Sequence, residues 1–357
     1  MRFGRLGPEG TVVLEDRATP VAGPGEVTVS LAACGVCGTD LEKARGNYRT
    51  AGVLGHEPVG RIATVGSGVT GLLPGDRVFV HHHVPCYACE VCARGDYTFC
   101  PSYSKTNIDP GGFSETFRVP KENVDRHAVL PLAANVDWDS GTLLEPAGCA
   151  LTAIRRIGLP EKATVFVLGL GPVGLLYARL VRAMGAAWVG GTEIALRRRA
   201  AAERGGIDVV IDPRESGAAR TAVERATHGR GVDLAVVATG HPSVARTATE
   251  LVRRGGTVNL FGLPESGSRL DVDLQALYLQ GIRLVPTYAT TEPDIAEVHR
   301  QVATGALKLA DLVSHRIPLE RIEEAFRLAG RPDDAVKVVV TGPSVKEGQT
   351  STPSPST

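Results

Sequence analysis

From residue 1 to about 145 the chain consists of short β-branched runs broken by Gly/Pro turns: VTVSLAACGVC, VGRIATVG and DRVFVHHH, with LLPGD among the turns. Runs of this length bounded by turn residues predict strands, and no stretch of helical period interrupts them for long. From about 146 the texture changes. TVFVLGL, AAWVGGTE, GIDVVID, VDLAVVATG, GGTVNLFG and GIRLVPT are compact apolar segments that alternate with Ala-, Arg- and Leu-rich segments of helical period. That alternation predicts a parallel, doubly wound α/β sheet. After Tyr288 the pattern reads helix (DIAEVHRQVATG), strand (LVSHRIPL), helix (RIEEAFRLAG) and strand (AVKVVVTG), a set expected to return to the first part of the chain. The expected division is therefore 1–146, 147–288, 289–343 rejoining the first unit, and a disordered Ser/Thr/Pro-rich tail over 344–357. No internal repeat is present.

Composition narrows the function. At about 150 residues per domain, 357 residues predict two domains rather than one. Lys plus Arg and Asp plus Glu are both 39, and a net charge of zero argues against a nucleic-acid partner or a polybasic membrane contact. The N-terminus MRFGRLGPEG carries no charged n-region followed by an apolar h-region, and no run of about 18 apolar residues occurs, so a cytoplasmic location is expected. The seven cysteines, at 34, 37, 86, 89, 92, 100 and 149, form two close clusters and a single, which suits metal sites better than a disulfide framework.

Gly169-Leu170-Gly171-Pro172-Val173-Gly174 follows the apolar run TVFVLGL and opens the helical segment LLYARLVRAMG. The first glycine suits a tight turn, the second a close backbone approach to pyrophosphate, and the third helix-on-strand packing. Glu193 ends the next strand segment, 19 residues after Gly174, where a carboxylate can accept hydrogen bonds from an adenosine ribose. A 2′-phosphate would meet that carboxylate, so NAD is expected over NADP, although Arg197, Arg198 and Arg199 offer a nearby counter-charge. Thr239-Gly240 and Phe261-Gly262 end later strands at the sheet edge where nicotinamide should rest; ordinary strand-to-helix turns are the alternative.

Cys86-x2-Cys89-x2-Cys92-x7-Cys100 places four soft ligands within 15 residues, enough to close a tetrahedral structural zinc site in a lobe spanning 85–101. An iron–sulfur cluster is one competitor, with the last gap too long for the usual spacing. A nucleic-acid ribbon is another, but Glu90 and Asp96 against the single Arg94 give the lobe no basic face. Cys37, in Gly35-Val36-Cys37-Gly38-Thr39-Asp40, and His56-Glu57, in Gly55-His56-Glu57-Pro58, are flanked by glycines and offer the mixed donors of a catalytic zinc with an open position. Each alone could be packing. Glu145, in the apolar run Leu143-Leu144-Glu145-Pro146, is costly unless ligated or partnered, a helix N-cap role being the bland alternative.

Together these motifs resemble the zinc-containing medium-chain alcohol dehydrogenase family, particularly its sorbitol, threonine and polyol branches, over about residues 10–343. The resemblance implies a GroES-like catalytic domain built from both ends of the chain, with a Rossmann domain between them. It implies Cys37, His56 and Glu145 or Glu57 on a catalytic zinc, and Cys86, Cys89, Cys92 and Cys100 on a structural one. Thr39 matches the hydroxyl that begins the family's proton relay, while Glu42 stands where many members place a relay histidine. His82 falls where members put a substrate-pocket side chain; a solvated His81-His82-His83 run is the alternative. Cys149 is expected to line the pocket near nicotinamide, and Arg198 to pack near the adenine. The function implied is oxidation of a secondary alcohol of a polyol, sugar, cyclitol or amino alcohol, with hydride passing to NAD, in a homodimer or homotetramer. A zinc-independent enoyl or quinone reductase of the same fold, and a non-enzymatic zinc and nucleotide binder, are the competing readings.

Overall fold

Six parallel strands form one sheet in the order Val209–Ile211, Trp188–Thr192, Thr164–Leu168, Val232–Val237, Val252–Leu260 and Arg283–Pro286. The fold is taken from a computed structural model that describes residues 1–47 and 53–343, so the expected tail at 344–357 lies outside the described residues. The strand order reverses between Thr164–Leu168 and Val232–Val237, which opens a crevice at the carboxyl ends of the strands, the place where such sheets bind ligands. Continuous apolar runs form these strands because both faces are covered: Val165, Phe166, Val167 and Leu168 are all buried. The helix Pro172–Ala183 starts on a proline, whose fixed φ suits the first helical turn.

A second, mixed sheet runs in the order Val313–Pro318, Lys337–Thr341, Val27–Gly35, Pro58–Val65, Arg77–Val80 and Val129–Pro131, with Thr116–Val119 also pairing Val27–Gly35. Lys337–Thr341 lies parallel to Val313–Pro318 and antiparallel to Val27–Gly35, with Val339 opposite Gly35 and Val340 opposite Cys34. The end of the chain thus completes the sheet that its beginning starts.

The two sheets share one apolar core, in which Ala33, Val59 and Phe79 pack with Val165, Val167 and Leu176. The helix Leu144–Ile157 joins them, and ten of its fourteen residues are buried, so it acts as a spacer clamped from several sides. The texture change read at 146 falls inside this helix. A satellite core of Cys92, Cys100 and Tyr103 holds the cysteine lobe. Among the described residues no helix is long and apolar enough to cross a membrane.

Phe166 is fully buried at the centre of the parallel sheet and stacks on Trp188, 6.1 Å between ring centroids. Truncation leaves a cavity that the flanking strands cannot collapse into, so Phe166→Ala is expected to cost about 3–5 kcal/mol in denaturant unfolding. A loss under about 1 kcal/mol would show that the sheet repacks at this point.

Candidate active site and cofactor cleft

The strand Val27–Gly35 runs out into Cys37, which precedes the first turn of the helix Gly38–Ala44. The strand Pro58–Val65 begins just after His56 and Glu57. The Cys37 Sγ, a His56 ring nitrogen and a Glu57 carboxylate oxygen lie within 4.8 Å of one another. Thr39 Oγ1 stands 3.8 Å from the Cys37 Sγ. Asp40 is wholly buried and orders this group: Oδ2 accepts the Cys37 N–H at 3.1 Å, Oδ1 accepts the Gly55 N–H at 3.1 Å, and Oδ1 lies 3.5 Å from His56 Nδ1. A carboxylate on one ring nitrogen fixes the orientation of the imidazole and leaves the other for a metal. Burial alone would lower the His56 pKa, but Asp40 and Cys37 outweigh it and hold it well above the usual range. A site so anionic favours a cation, and the donor set of thiolate, imidazole and carboxylate suits zinc.

Glu57 is wholly buried, and Lys337 Nζ lies 2.5 Å from its Oε2. Oε1 has no hydrogen-bond partner among the described residues, which leaves it available to a metal. Burial raises the Glu57 pKa, against the pull of Lys337. Gly35 makes the room: a Cβ there would lie 1.8 Å from Glu57 Oε2 and 2.9 Å from Lys337 Cε. Any larger residue would push the carboxylate out of the cluster.

Glu145 occupies the first turn of Leu144–Ile157 rather than capping it, with Leu143 in the cap position. It groups with His81 and His82 within 4.8 Å, and the Cys149 thiol, one turn on, donates to Glu145 Oε1 at 3.4 Å. Burial, then Glu145, raises the Cys149 pKa well above the usual thiol range, so this residue stays a neutral thiol lining the site. The His82 ring sits 5.1 Å from that of His56, and burial, then His83 and His56, keep its pKa well below the usual range. A neutral imidazole therefore faces the Cys37 cluster.

The solvated reading of the histidine run is overturned. His81 is buried with Nδ1 2.6 Å from Glu292 Oε1, His83 Nδ1 bonds the Thr106 carbonyl, and the Tyr87 hydroxyl donates to Glu292. Glu42 turns away, its carboxylate held by Arg45 and Asn47 at 2.7 Å each. Asp40, Lys337 and Glu292 were missed as site residues from the sequence. Only Asp40 carried a local signal, its place three residues after Cys37.

In the lobe, neighbouring thiols are 3.5 Å (Cys86–Cys100), 3.6 Å (Cys89–Cys92), 3.8 Å (Cys89–Cys100) and 3.9 Å (Cys86–Cys92) apart. Four sulfurs about 2.3 Å from one tetrahedral zinc are separated by about 3.8 Å, so the spacing fits a single ion. An iron–sulfur cluster, whose cysteines bind different irons, would need them farther apart. Backbone N–H groups of Cys89 and Ser102 donate to the Cys86 and Cys100 sulfurs. Burial opposes ionisation of Cys100, but N–H donors from Cys86 and Ser102 prevail and bring its pKa down to about 6, whereas burial pushes Cys92 up to about 12.

At the parallel sheet Gly169 has φ +97°, and the N–H groups of Gly169 and Leu170 both donate to the Thr192 carbonyl at 3.0 Å. A Cβ on Gly174 would lie 1.9 Å from the Gly169 carbonyl oxygen, so the turn requires glycine there. Gly171 caps the helix, followed by Pro172 and Val173, and its N-terminal N–H groups form an anion site of the kind that holds pyrophosphate. Glu193 is buried just past its strand, with Oε1 accepting the Ala195 N–H at 3.0 Å. The Arg198 guanidinium lies beside Gly171, 3.3 Å from where a Cβ would stand. Thr239 and Gly262 meet at the carboxyl edge, a Cβ on Gly262 lying 2.5 Å from the Thr239 backbone. The Phe261 ring instead packs on Tyr177, 5.3 Å between centroids. Cys37, His56, Glu57, His82, Glu145 and Cys149 thus form one neighbourhood, and the glycine turn with Glu193 and Arg198 another.

The chain is similar to known proteins along most of its length. Residues 23–128 match the alcohol dehydrogenase GroES-like domain and residues 172–304 the zinc-binding dehydrogenase domain. The chain is 31% identical over 333 residues to L-threonine 3-dehydrogenase of Pyrococcus furiosus, covering 90% of this chain and 92% of that one. It is 30% identical over 342 residues to sorbitol dehydrogenase of Bacillus subtilis, covering 92% and 94%. A solved chain from Sinorhizobium meliloti 1021 with NADP bound superposes with a TM-score of 0.83 at 27% identity, covering 95% of this chain and 98% of that one.

The Glu57–Lys337 pair is buried on both sides, so removing the cation strands a carboxylate. Lys337→Met is expected to destabilise the fold by about 3–5 kcal/mol in chemical unfolding, with most of the loss restored by adding Glu57→Gln. Equal stability of the single variant and the parent would mean that Glu57 is not held ionised by this lysine.

Proposed function

Because the chain belongs to the zinc-containing medium-chain alcohol dehydrogenase family, we propose that it oxidises a secondary alcohol of a polyol, sugar, cyclitol or amino alcohol with NAD as hydride acceptor. It is an oxidoreductase acting on CH–OH donors, and zinc and a nicotinamide dinucleotide are its cofactors. One observation carries the substrate class: beside Cys37 and His56 the site presents a neutral imidazole, His82, and two carboxylates, Glu57 and Glu145, where an apolar alcohol would need apolar walls. The relatives named for threonine and sorbitol act on hydroxyl-rich or amino-bearing molecules, which agrees with that lining.

Two zinc sites are proposed. Cys86, Cys89, Cys92 and Cys100 hold a closed, structural ion. Cys37, His56 and Glu57 hold the catalytic one, with Glu145 as an alternative carboxylate. Zinc, when bound, supplies a Lewis acid that eases deprotonation of an alcohol near neutral pH, and NAD supplies the hydride acceptor. The protein's own residues do the rest. Asp40 fixes the His56 ring, Lys337 aims the Glu57 carboxylate, and Thr39 stands beside the Cys37 sulfur where its hydroxyl can accept the substrate proton while passing its own on to water. His82 and Glu145 offer hydrogen bonds to neighbouring substrate hydroxyl or amino groups. Glu193 favours a free ribose hydroxyl, hence NAD. We also propose the division into 1–146 with 289–343, and 147–288, as catalytic and cofactor units.

Strand Arg283–Pro286 pairs on one side only among the described residues, and Leu274, Tyr278 and Leu279 beside it are exposed. An open edge flanked by apolar side chains supports a homodimer or homotetramer formed there.

The deciding experiment combines metal analysis with a substrate panel. The expected result is two zincs per chain and NADH formation with polyols or amino alcohols, lost in Cys37→Ser while NADH still binds. Turnover of simple primary alcohols alone would refute the substrate class, and unchanged turnover in Cys37→Ser would refute the metal chemistry. Light scattering on the same sample is expected to give a multiple of the 37.5 kDa chain; a monomer would refute the edge assembly.

A further inference from the structure

The loop after Glu193 carries more cationic charge than a free ribose needs, and the structure gives two of its three guanidiniums, Arg198 and Arg199, a protein partner. Arg197 is exposed. Arg198 leans over the glycine turn with Nε donating to the Ala335 carbonyl at 3.3 Å. Arg199 and Arg214 both close on Asp212, which stands just past the neighbouring strand Val209–Ile211. Arg199 forms an ion pair with Asp212 Oδ2, and Arg214 Nε lies 2.8 and 3.1 Å from the two carboxylate oxygens. The Arg214 backbone N–H adds a bond to Oδ1 at 3.0 Å. The same guanidiniums touch the loop that bears the ribose acid: Arg199 Nη1 donates to the Glu193 carbonyl and Arg214 Nη2 to the Ile194 carbonyl, each at 3.4 Å. The Asp212 and Arg199 side chains are only 14% and 16% exposed, so this pair is fixed, whereas Arg214, at 69% exposed, is held mainly by its fork on Asp212.

A 2′-phosphate is recognised by guanidinium forks, and two lie within reach of the Glu193 loop. We propose that Asp212 is a second residue setting the choice of dinucleotide: it pairs with Arg199 and Arg214 and holds both guanidiniums on its own carboxylate rather than on a 2′-phosphate. Glu193 repels the phosphate and Asp212 withholds the attraction, so selectivity draws on both a repulsive and a removed attractive element. This inference rests on the NAD reading above. It explains why an arginine-rich loop is compatible with a ribose-binding carboxylate. Neutralising Asp212 alone frees Arg214, which is already exposed and follows the same strand end, to swing toward the ribose.

The test is equilibrium titration of the zinc-loaded protein with NADH and with NADPH, followed by nicotinamide fluorescence without substrate. The parent is expected to prefer NADH. Asp212→Asn is expected to shift the NADPH-to-NADH affinity ratio toward NADPH by about tenfold. Asp212→Glu, which keeps the fork, is expected to retain the parent ratio, and adding Arg199→Gln and Arg214→Gln to Asp212→Asn is expected to abolish the gain. A ratio that stays within about twofold in Asp212→Asn, or a parallel fall in both affinities, overturns the proposal. Should Asp212→Asn lower the melting temperature too far to titrate, Arg199→Gln with Arg214→Gln in the parent decides: the proposal expects NADPH affinity unchanged, and a clear drop refutes it. A parent that prefers NADPH refutes the NAD reading itself, whatever the variants do.

Discussion

The candidate active site depends on a carboxylate that is wholly buried, held there by a lysine from a late strand of the chain. Glu57 sits at the start of one strand and Lys337 at the start of the last, and their oxygen and nitrogen are 2.5 Å apart. Neither charge is tolerable alone at that depth, since taking an ion out of water costs several kcal/mol that only a close partner offsets. The consequence is topological. Lys337 must pair its strand against Val27–Gly35, so the final strand cannot belong to the six-stranded parallel sheet, and the mixed sheet has to be assembled from early and late parts of the chain. Gly35, opposite Val339 in that pairing, is the vacancy into which the pair fits.

The candidate metal centre gathers acidic groups in one place. Asp40, Glu57, Glu145 and the Cys37 sulfur crowd one neighbourhood, and His56 is drawn toward its protonated form by Asp40 and Cys37. A divalent ion there would compensate that charge, and Lys337 already takes a share of it. The division explains why His82 remains neutral although three histidines follow one another: burial and the neighbouring rings both oppose its charge. A neutral, polar wall next to a cationic centre suits a substrate that offers hydroxyls rather than charge.

Much of this was legible in the sequence, for physical reasons that separate what was read from what was missed. The parallel sheet shows as unbroken apolar runs because its strands are covered on both faces, and the glycine turn shows because Gly174 cannot hold a side chain 1.9 Å from a carbonyl. The cysteine lobe shows because four ligands within 15 residues need no long-range folding to meet. Glu57 with Lys337 and His81 with Glu292 were illegible, being separated by 280 and 211 residues; each partner alone looks like a surface charge or a solvated histidine. Phe261 was read correctly as lying at the sheet edge, but its ring serves the core against Tyr177, which a strand-end position does not reveal.

The same distinction governs the cofactor side. A run of three arginines after Glu193 suggests an attraction for phosphate if charges are counted along the chain. In the fold, the next strand ends beside that run and delivers Asp212, which engages Arg199 from the run and Arg214 from its own loop before any ligand arrives. Hydrogen-bonded forks are directional and saturable in a way that net charge is not. What the loop can recognise is therefore set by which N–H groups remain unused, and that quantity belongs to the packing of adjacent strands rather than to any local motif.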